Sequence, residues 1–286
     1  MKSLLMFNYG FMNPVITKTE NAIYIKEDRK LYMFYKINSD INSIIKYTNE
    51  DNSFYKSIKN KDKNYITRYK NDFYILYKID NNYNILESEI INKKKIEVEK
   101  NDYIDWIDLW QQNVDKIDEF IDKSEEGIIR ETKDYYIGLG ETAIDFLIYN
   151  RDKIKVDKGY LCRKRIDKKN FRLPNNAIID CKEREIAEYI KYNFFKENKS
   201  EEEIFTFLKK LNNKDYDHIL IYSRLLFPTY YFDLLEEYLN NKRNINEEIK
   251  KMAKKINSYE LFLKKLFIYY FSSINNIEWI NNNYYN

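Results

Sequence analysis

The segment from Gly159 to Asn170 reads Gly-Tyr-Leu-Cys-Arg-Lys-Arg-Ile-Asp-Lys-Lys-Asn and predicts the fold more strongly than any other part of the chain. Its apolar start predicts a short strand, and the charged residues that follow predict a loop. The run Ile178-Ile-Asp180 predicts a second short strand, and the residues from Arg184 to Ile190 predict a helix. The predicted order is therefore strand, charged loop, strand, short loop and helix.

The composition is that of a globular protein with a core rich in aromatic rings. The 286 residues suffice for one two-lobed domain or two small ones, and 44% of them are hydrophobic and 33% charged. The chain contains 28 tyrosines and 17 phenylalanines. Its net charge of +3 comes from 49 basic and 46 acidic residues, which is too balanced to indicate a nucleic-acid-binding stripe.

The cysteines and the apolar runs indicate a protein of a reducing compartment. Cys162 and Cys181 flank the charged loop, and each is predicted to be a small buried residue. Two cysteines form neither a disulfide framework nor a zinc knuckle. The apolar run Ser3 to Phe7 is too short for a signal peptide, and no run approaches the roughly 18 residues that span a bilayer. We therefore expect a cytoplasmic protein without a membrane span.

Residues 1–80 are predicted to form a small, strand-rich lobe. Two hairpins are expected, one from strands 22–26 and 31–37 and one from strands 65–69 and 73–79. A helix is expected between them, at residues 40–58. The polar residues 81–102 are predicted to be a hinge between two lobes.

Residues 103–286 are predicted to form a mostly helical lobe that carries the charged loop at 159–183. Apolar residues recur at spacings of three and four from Ile107 to Ile121, which indicates an amphipathic helix. Further helices are expected at 132–150, 184–196, 201–211, 215–240, 245–256 and 259–272, with a break at Pro228. Trp106 and Trp110 lie one helical turn apart and favour packing over a ligand cage. The fold class is therefore α+β.

Three segments carry a resemblance to a known family. They are Tyr135–Ile144, Cys162–Tyr189 and Arg224–Tyr238, of which the last begins Arg-Leu-Leu-Phe-Pro and is the most specific. They resemble the spore-coat proteins of the CotS and YutH group of endospore-forming bacteria. That group belongs to the aminoglycoside-phosphotransferase and choline-kinase-like superfamily. The resemblance implies a two-lobed protein-kinase-like fold, with a strand-rich small lobe and a mostly helical large lobe.

The resemblance also implies where the catalytic machinery would lie. The superfamily loop commonly reads Cys-His-Gly-Asp, two further residues, and Pro-Gly-Asn. Cys162 matches, and Asn170 matches the metal-binding Asn, while Asp180 fits the metal-binding Asp after the second strand. Arg163 stands at the His position and Arg165 at the catalytic Asp position. A guanidinium cannot accept a proton from a substrate hydroxyl, so the usual chemistry is expected to be lost.

In the small lobe, the residues of this chain match the superfamily's catalytic residues less specifically. Lys36 is a candidate for the small-lobe strand lysine, and Glu50 is a candidate for its partner on the following helix. The chain has five glycines, at positions 10, 127, 138, 140 and 159, and none lies between the first two predicted strands. Without glycine, the backbone there cannot approach phosphate groups closely.

Each candidate residue has a structural alternative. Asn170 and Asp180 suit one magnesium ion, or they are turn and cap residues. Asp167 is a displaced catalytic base, or it pairs with a basic side chain. Arg163 and Arg165 bind an anion or a partner carboxylate, or they form salt bridges within the fold, for example to Glu183 or Glu185.

The sequence leaves three classes of function open. The first is a non-catalytic kinase-like protein of the spore coat or of sporulation, which binds other coat or sporulation proteins in the mother-cell cytoplasm or at the coat and needs no cofactor. The second is an atypical small-molecule phosphotransferase that uses Asp167 as base, with Asn170 and Asp180 on Mg²⁺. The third is a binding module that retains ATP, Mg²⁺ or another anion as a structural ligand.

Overall fold

The computed structural model describes residues 1–19, 22–37, 42–79, 84–93, 95–96, 106–121, 127–154, 159–211, 215–241 and 243–271. The chain divides into two compact units. The first comprises Met1–Glu99 with Gly159–Asp180, and the second comprises Lys100–Lys158 with Cys181–Asn286. Residues 80–83 and 97–105, at the ends of the predicted hinge, lie outside the described residues, so the linear boundaries stay a prediction.

The first unit is rich in strands. Its elements up to residue 91 are α1 (Lys2–Tyr9), β1 (Val15–Lys18), β2 (Ala22–Glu27), β3 (Lys30–Ile37), α2 (Asn42–Glu50), β4 (Lys56–Ile58), β5 (Ile66–Tyr69), β6 (Asp72–Ile79) and α3 (Glu87–Ile91). The strands form an antiparallel sheet in the order β1-β2-β3-β6-β4, and β5 also pairs with β6. Both predicted hairpins are confirmed, with strand ends within one residue of the predicted ones.

Side-chain alternation gives the sheet two apolar faces. On one face Met33, Ile37 and Ile75 are buried together with Ile45 of α2. On the other face Phe34 and its neighbours are buried together with residues of the N-terminal segment; this cluster comprises Leu5, Phe11, Ile23, Ile25, Phe34 and Leu76. The sheet is therefore covered by α2 on one side and by α1 on the other.

Three features of this unit differ from the sequence-based predictions, and one of them is α3, which lies within the predicted hinge. The helix predicted at 40–58 ends at Glu50, because Asp51 turns the chain: its Oδ1 accepts a hydrogen bond from the Ser53 N–H at 2.7 Å, and β4 begins at Lys56. Helix α1 was not predicted. It has eight residues, and its Leu5 is fully buried against the sheet.

The charged-loop segment forms a second, two-stranded sheet. Its strands are β7 (Tyr160–Arg163) and β8 (Ala177–Asp180), which pair in antiparallel register. The strands and the helix after them match the predicted order. By its contacts this segment belongs to the strand-rich unit, and Leu173 from the loop joins the apolar face that α2 covers.

The second unit is helical. Its helices are α4 (Trp106–Ile121), α5 (Gly127–Tyr149), α6 (Lys182–Phe195), α7 (Glu201–Lys209), α8 (His218–Leu226), α9 (Thr229–Asn241), α10 (Asn246–Ala253) and α11 (Ile256–Phe271). The break predicted at Pro228 is confirmed, since α8 ends at Leu226 and α9 begins at Thr229. Ser200 caps α7 in a capping box with Glu203.

Stacked aromatic rings fill the core of the helical unit. Trp110 is buried and stacks on Trp106 with ring centroids 5.5 Å apart, and on Phe227 at 4.4 Å. Tyr136 of α5 stacks on Tyr231 of α9 at 4.0 Å. The tryptophans therefore pack within this unit, as the sequence indicated. Among the described helices, none combines the length and the apolar character needed to cross a bilayer.

Candidate functional site

Arg163, at the end of β7, is fully buried and anchors the charged loop. Its Nε donates to the carbonyl of Phe171 at 2.7 Å, and its Nη2 donates to the carbonyl of Ser53 at 3.1 Å. Its guanidinium carbon lies 3.5 Å from the ring centroid of Phe171 and 4.6 Å from that of Phe54. This charge-assisted bonding and cation–π stacking join three separate parts of the strand-rich unit.

Further contacts fix the loop at its C-terminal half. The Tyr55 N–H donates to the carbonyl of Arg172 at 2.8 Å. Arg172 Nη2 lies 3.0 Å from Glu89 Oε1 of α3. The loop is therefore held from both sides, by the turn after α2 and by α3.

Arg165 lies two residues after Arg163 and is only half-buried. Its Nη1 donates to the carbonyl of Lys164 at 2.7 Å. Its backbone is held by Asn176: the Arg165 N–H donates to Asn176 Oδ1 at 3.2 Å, and Asn176 Nδ2 donates to the Arg165 carbonyl at 2.8 Å. The guanidinium thus takes part in the hydrogen bonding of the loop backbone.

Asn176 belongs to the candidate site but was not among the residues predicted from the sequence. It is buried, and its Nδ2 also donates to the carbonyl of Asn170 at 3.2 Å. Its own carbonyl accepts from the Lys164 N–H at 2.7 Å. A signal for it existed in Leu-Pro-Asn-Asn176, since a polar residue that opens an apolar strand after a proline turn often satisfies loop backbone groups.

Asp167, the candidate displaced base, forms a turn. Its Oδ1 accepts from the Lys169 N–H at 2.8 Å. Its carbonyl accepts from the N–H groups of Asn170 and Phe171, at 3.1 and 2.8 Å. This is the local side-chain-to-backbone pattern for which Asp is favoured in turns.

The two candidate metal ligands lie in unlike environments. Asn170 is exposed at the tip of the loop, whereas Asp180 is buried at the end of β8. In the described part of the chain, no group of three or more His, Cys, Asp or Glu side chains is placed to hold a metal ion. Amide and carboxylate oxygens fit the chemistry of Mg²⁺. With two such side chains, an ion would take its other ligands from water or substrate phosphates.

The structure does not bring Lys36 and Glu50 together. Lys36 Nζ lies 2.8 Å from Asp72 Oδ1, and this hydrogen bond raises the pKa of Lys36. Lys36 shares the strand alternation of Phe34, which lies on the face covered by α1. Glu50 is exposed at the end of α2, which covers the opposite face.

Glu183 lies at the start of α6, and burial changes the acidity of its carboxyl group. It is buried, and its Oε1 accepts from the Asp217 N–H at 3.1 Å. Burial raises its pKa from 4.5 to about 7. Sequence reasoning proposed Glu183 only as a salt-bridge partner, because burial of a charged residue cannot be read from local pattern.

Solved structures show what this fold is. The chain superposes on spectinomycin phosphotransferase in its AMP-bound complex with a TM-score of 0.64 and 15% identity, covering 93% of this chain and 96% of that one. It also superposes on choline kinase LicA of Streptococcus pneumoniae with a TM-score of 0.51 and 12% identity, covering 93% and 95% of the two chains. The fold is therefore α+β and protein-kinase-like, as predicted.

Sequence comparison gives the family. The chain is 28% identical over 184 residues to the endospore coat-associated protein YutH of Bacillus subtilis (strain 168), and the match covers 55% of this chain and 54% of that protein. The chain thus matches about half the length of this curated relative. The model of the family described as "Spore coat putative kinase YutH" matches residues 3–266. This chain therefore belongs to the spore-coat YutH family.

Proposed function

We propose that this chain is a non-catalytic, kinase-like protein that acts by binding during assembly of the spore coat. The observation that carries the proposal is Arg165 at the position of the superfamily's catalytic Asp. A guanidinium stays protonated and offers no lone pair to a substrate hydroxyl. The hydrogen bond of Arg165 to the Lys164 carbonyl supports a role in loop structure.

The alternative phosphotransferase would need Asp167 as its base. Its Oδ1 is used by the Lys169 N–H, and its carbonyl holds the next turn of the loop. These contacts favour the structural role, because moving the carboxylate toward a substrate would break the turn. Arg163 also supports this view, since it fixes the loop that a working site would use to hold substrate and metal.

We propose that the protein needs no resident cofactor. The connection between β1 and β2, residues Thr19 to Asn21, contains no glycine. Lys36 pairs with Asp72, on the face of the sheet away from α2. Both features argue against a tightly held nucleotide, and residual binding of ATP with Mg²⁺ at Asn170 and Asp180 is the outcome that would favour the enzyme.

The proposed partners are proteins of the spore coat or of sporulation, met in the mother-cell cytoplasm or at the coat. The support is membership of the spore-coat family and the coat association named for the Bacillus subtilis relative.

Purified protein should show no phosphate transfer from ATP to sugars, aminoglycosides or choline above the level of a protein-free control. The physical reason is the missing base at Arg165. The measurement is a coupled ADP-release assay run with the native chain and with Asp167→Asn. Steady turnover that Asp167→Asn abolishes would establish the phosphotransferase instead.

A second measurement tests binding in coat assembly separately from chemistry. Asp167→Asn and Asn170→Ala should each reach the coat fraction of spores as efficiently as the native chain, as judged by coat extraction and immunoblotting. A protein that assembles through catalysis would lose its coat association in both variants.

A further inference from the structure

A basic pocket of about 390 Å³ lies in the strand-rich unit, at the end of the sheet where β3 begins and β6 ends. In the described part of the chain, every charged side chain that lines it is basic: Arg29, Lys30, Lys56, Lys78 and Arg172. Its volume is within the range of small-molecule sites, and its walls are both apolar and polar.

The pocket is well separated from the place where the family's phosphate loop would lie. Strand β2 runs six residues from the β1–β2 connection to the turn that carries Arg29. At about 3.3 Å per residue, the two ends of this strand are roughly 20 Å apart. The pocket is thus a different location in the same unit.

Two lysines of the pocket face each other across the sheet. Lys56 of β4 is the direct partner of Lys78 of β6 in the antiparallel register. Like charges directly opposite in a sheet are destabilising. Lys56 Nζ is also held in place, because it donates to the carbonyls of Asn49 at 2.7 Å and Asp51 at 2.9 Å, at the C-terminal end of α2.

The other cations are positioned by the backbone. Asp28 and Arg29 form the two-residue β2–β3 turn with φ angles of 47° and 64°, and positive φ at both central residues is the geometry of a type I′ hairpin turn. Arg172 is oriented by its ion pair with Glu89.

We propose that this pocket binds a small multivalent anion, a molecule that carries two or more phosphate or carboxylate groups. An anion would neutralise the repulsion between Lys56 and Lys78 and accept hydrogen bonds from the guanidinium and ammonium groups around it. Two lysines placed directly opposite each other in a sheet are the kind of local conflict that marks a functional site. Burial lowers the pKa of Lys56, and an anion beside it would counter that effect.

The test uses the full chain at fixed ionic strength, titrated by calorimetry with inorganic pyrophosphate, tripolyphosphate and citrate. Saturable binding of any of the three supports the proposal, and the ratio of phosphate to carboxylate affinities identifies the preferred group. Lys78→Gln should weaken binding by about tenfold or more, which corresponds to the loss of one charge-assisted hydrogen bond. Lys46→Gln is the control, because it makes the same charge change at an exposed position of α2 outside the pocket.

Thermal unfolding is a second measurement, in which the stability difference between the native chain and Lys78→Gln should depend on the anion. Without anion, Lys78→Gln should melt at a higher temperature than the native chain, because the Lys56–Lys78 repulsion is gone. With tripolyphosphate, the native chain should gain stability and Lys78→Gln should gain little. The proposal is overturned if none of the three anions binds, or if Lys46→Gln weakens binding as much as Lys78→Gln.

This outcome is independent of the proposed coat function. A stabilising effect of ATP without Mg²⁺ that disappears in Lys78→Gln belongs to this pocket. A stabilising effect of ATP that requires Mg²⁺ and is unchanged in Lys78→Gln belongs to a kinase-type site instead.

Discussion

Arg163→Ala should lower the free energy of unfolding of the strand-rich unit by about 3–5 kcal/mol. The carbonyls of Phe171 and Ser53 lose a buried charge-assisted donor, and leaving a buried polar group unsatisfied costs about 1–3 kcal/mol. The rings of Phe54 and Phe171 lose the guanidinium between them, which adds a cavity and a lost cation–π contact.

The measurement must report on the correct unit. The described tryptophans, Trp106 and Trp110, lie in the helical unit, so their fluorescence follows that unit. Unfolding of the strand-rich unit in urea should instead be followed by hydrogen exchange of the amides in β7 and β8. In Arg163→Ala these amides should exchange faster.

Two matched variants separate the role of Arg163 from that of charge alone. Arg163→Lys keeps the charge but not the planar fork, and we expect a loss of about 2 kcal/mol. Arg165→Ala removes the same group two residues away, where the side chain is half-buried, and we expect a loss below about 1 kcal/mol. Equal losses in Arg163→Ala and Arg165→Ala would mean that Arg163 does not anchor the loop.

Much of the architecture was predictable, because the regular elements have clear periodicity. The alternating residues of β3 and β6 and the three-and-four spacing of α4 each identified their elements correctly. Helix α1 was not predictable in the same way. An eight-residue helix is marginal in isolation, and α1 gains its stability from packing Leu5 against the sheet.

For the candidate site, the sequence predicted which element carries each residue, but not which face the residue lies on or which residues it contacts. Spacing placed Lys36 on β3 correctly, but it could not determine the face of the sheet. Moving one residue along a strand changes the face, and Lys36 falls on the side of Phe34 rather than that of Ile37. The hydrogen-bond partners of Arg163 could not be predicted from the sequence either. Ser53 lies 110 residues away in the sequence and contacts Arg163 only in the folded structure.

Asp167 and Asn176 show how the same loop could be interpreted in two ways. From the sequence, Asp167 was a displaced base or a structural residue. In the structure its side chain and carbonyl hold a turn. Asn176 directly precedes β8, and its side chain binds the backbone of Arg165. Together they hold the loop backbone at Arg165, Lys169 and Asn170.

Glu183→Gln should make the protein more stable than the native chain from about pH 5 upward and leave its stability unchanged near pH 4. Burial raises the pKa of the folded-state carboxyl from 4.5 to about 7. Between these values the unfolded chain releases the proton while the folded chain keeps it, so the stability of the native protein falls as the pH rises through this window. The loss should reach on the order of 3 kcal/mol near pH 7 and then level off.

The glutamine variant isolates this effect because it keeps the shape and one acceptor. Its amide oxygen can still accept from the Asp217 N–H, which Glu183 Oε1 does now at 3.1 Å. Urea unfolding followed by tryptophan fluorescence reports on the helical unit that contains Glu183. Glu202→Gln is the control, since Glu202 is exposed on α7 and its substitution should leave the pH profile unchanged. The free energies of unfolding of Glu183→Gln and Glu202→Gln, each relative to the native chain, should therefore be equal near pH 4. They should differ increasingly from about pH 5 upward. If the free energies of unfolding of the two variants instead follow parallel curves against pH, Glu183 is ionised in the folded protein and its burial is compensated by a charge partner.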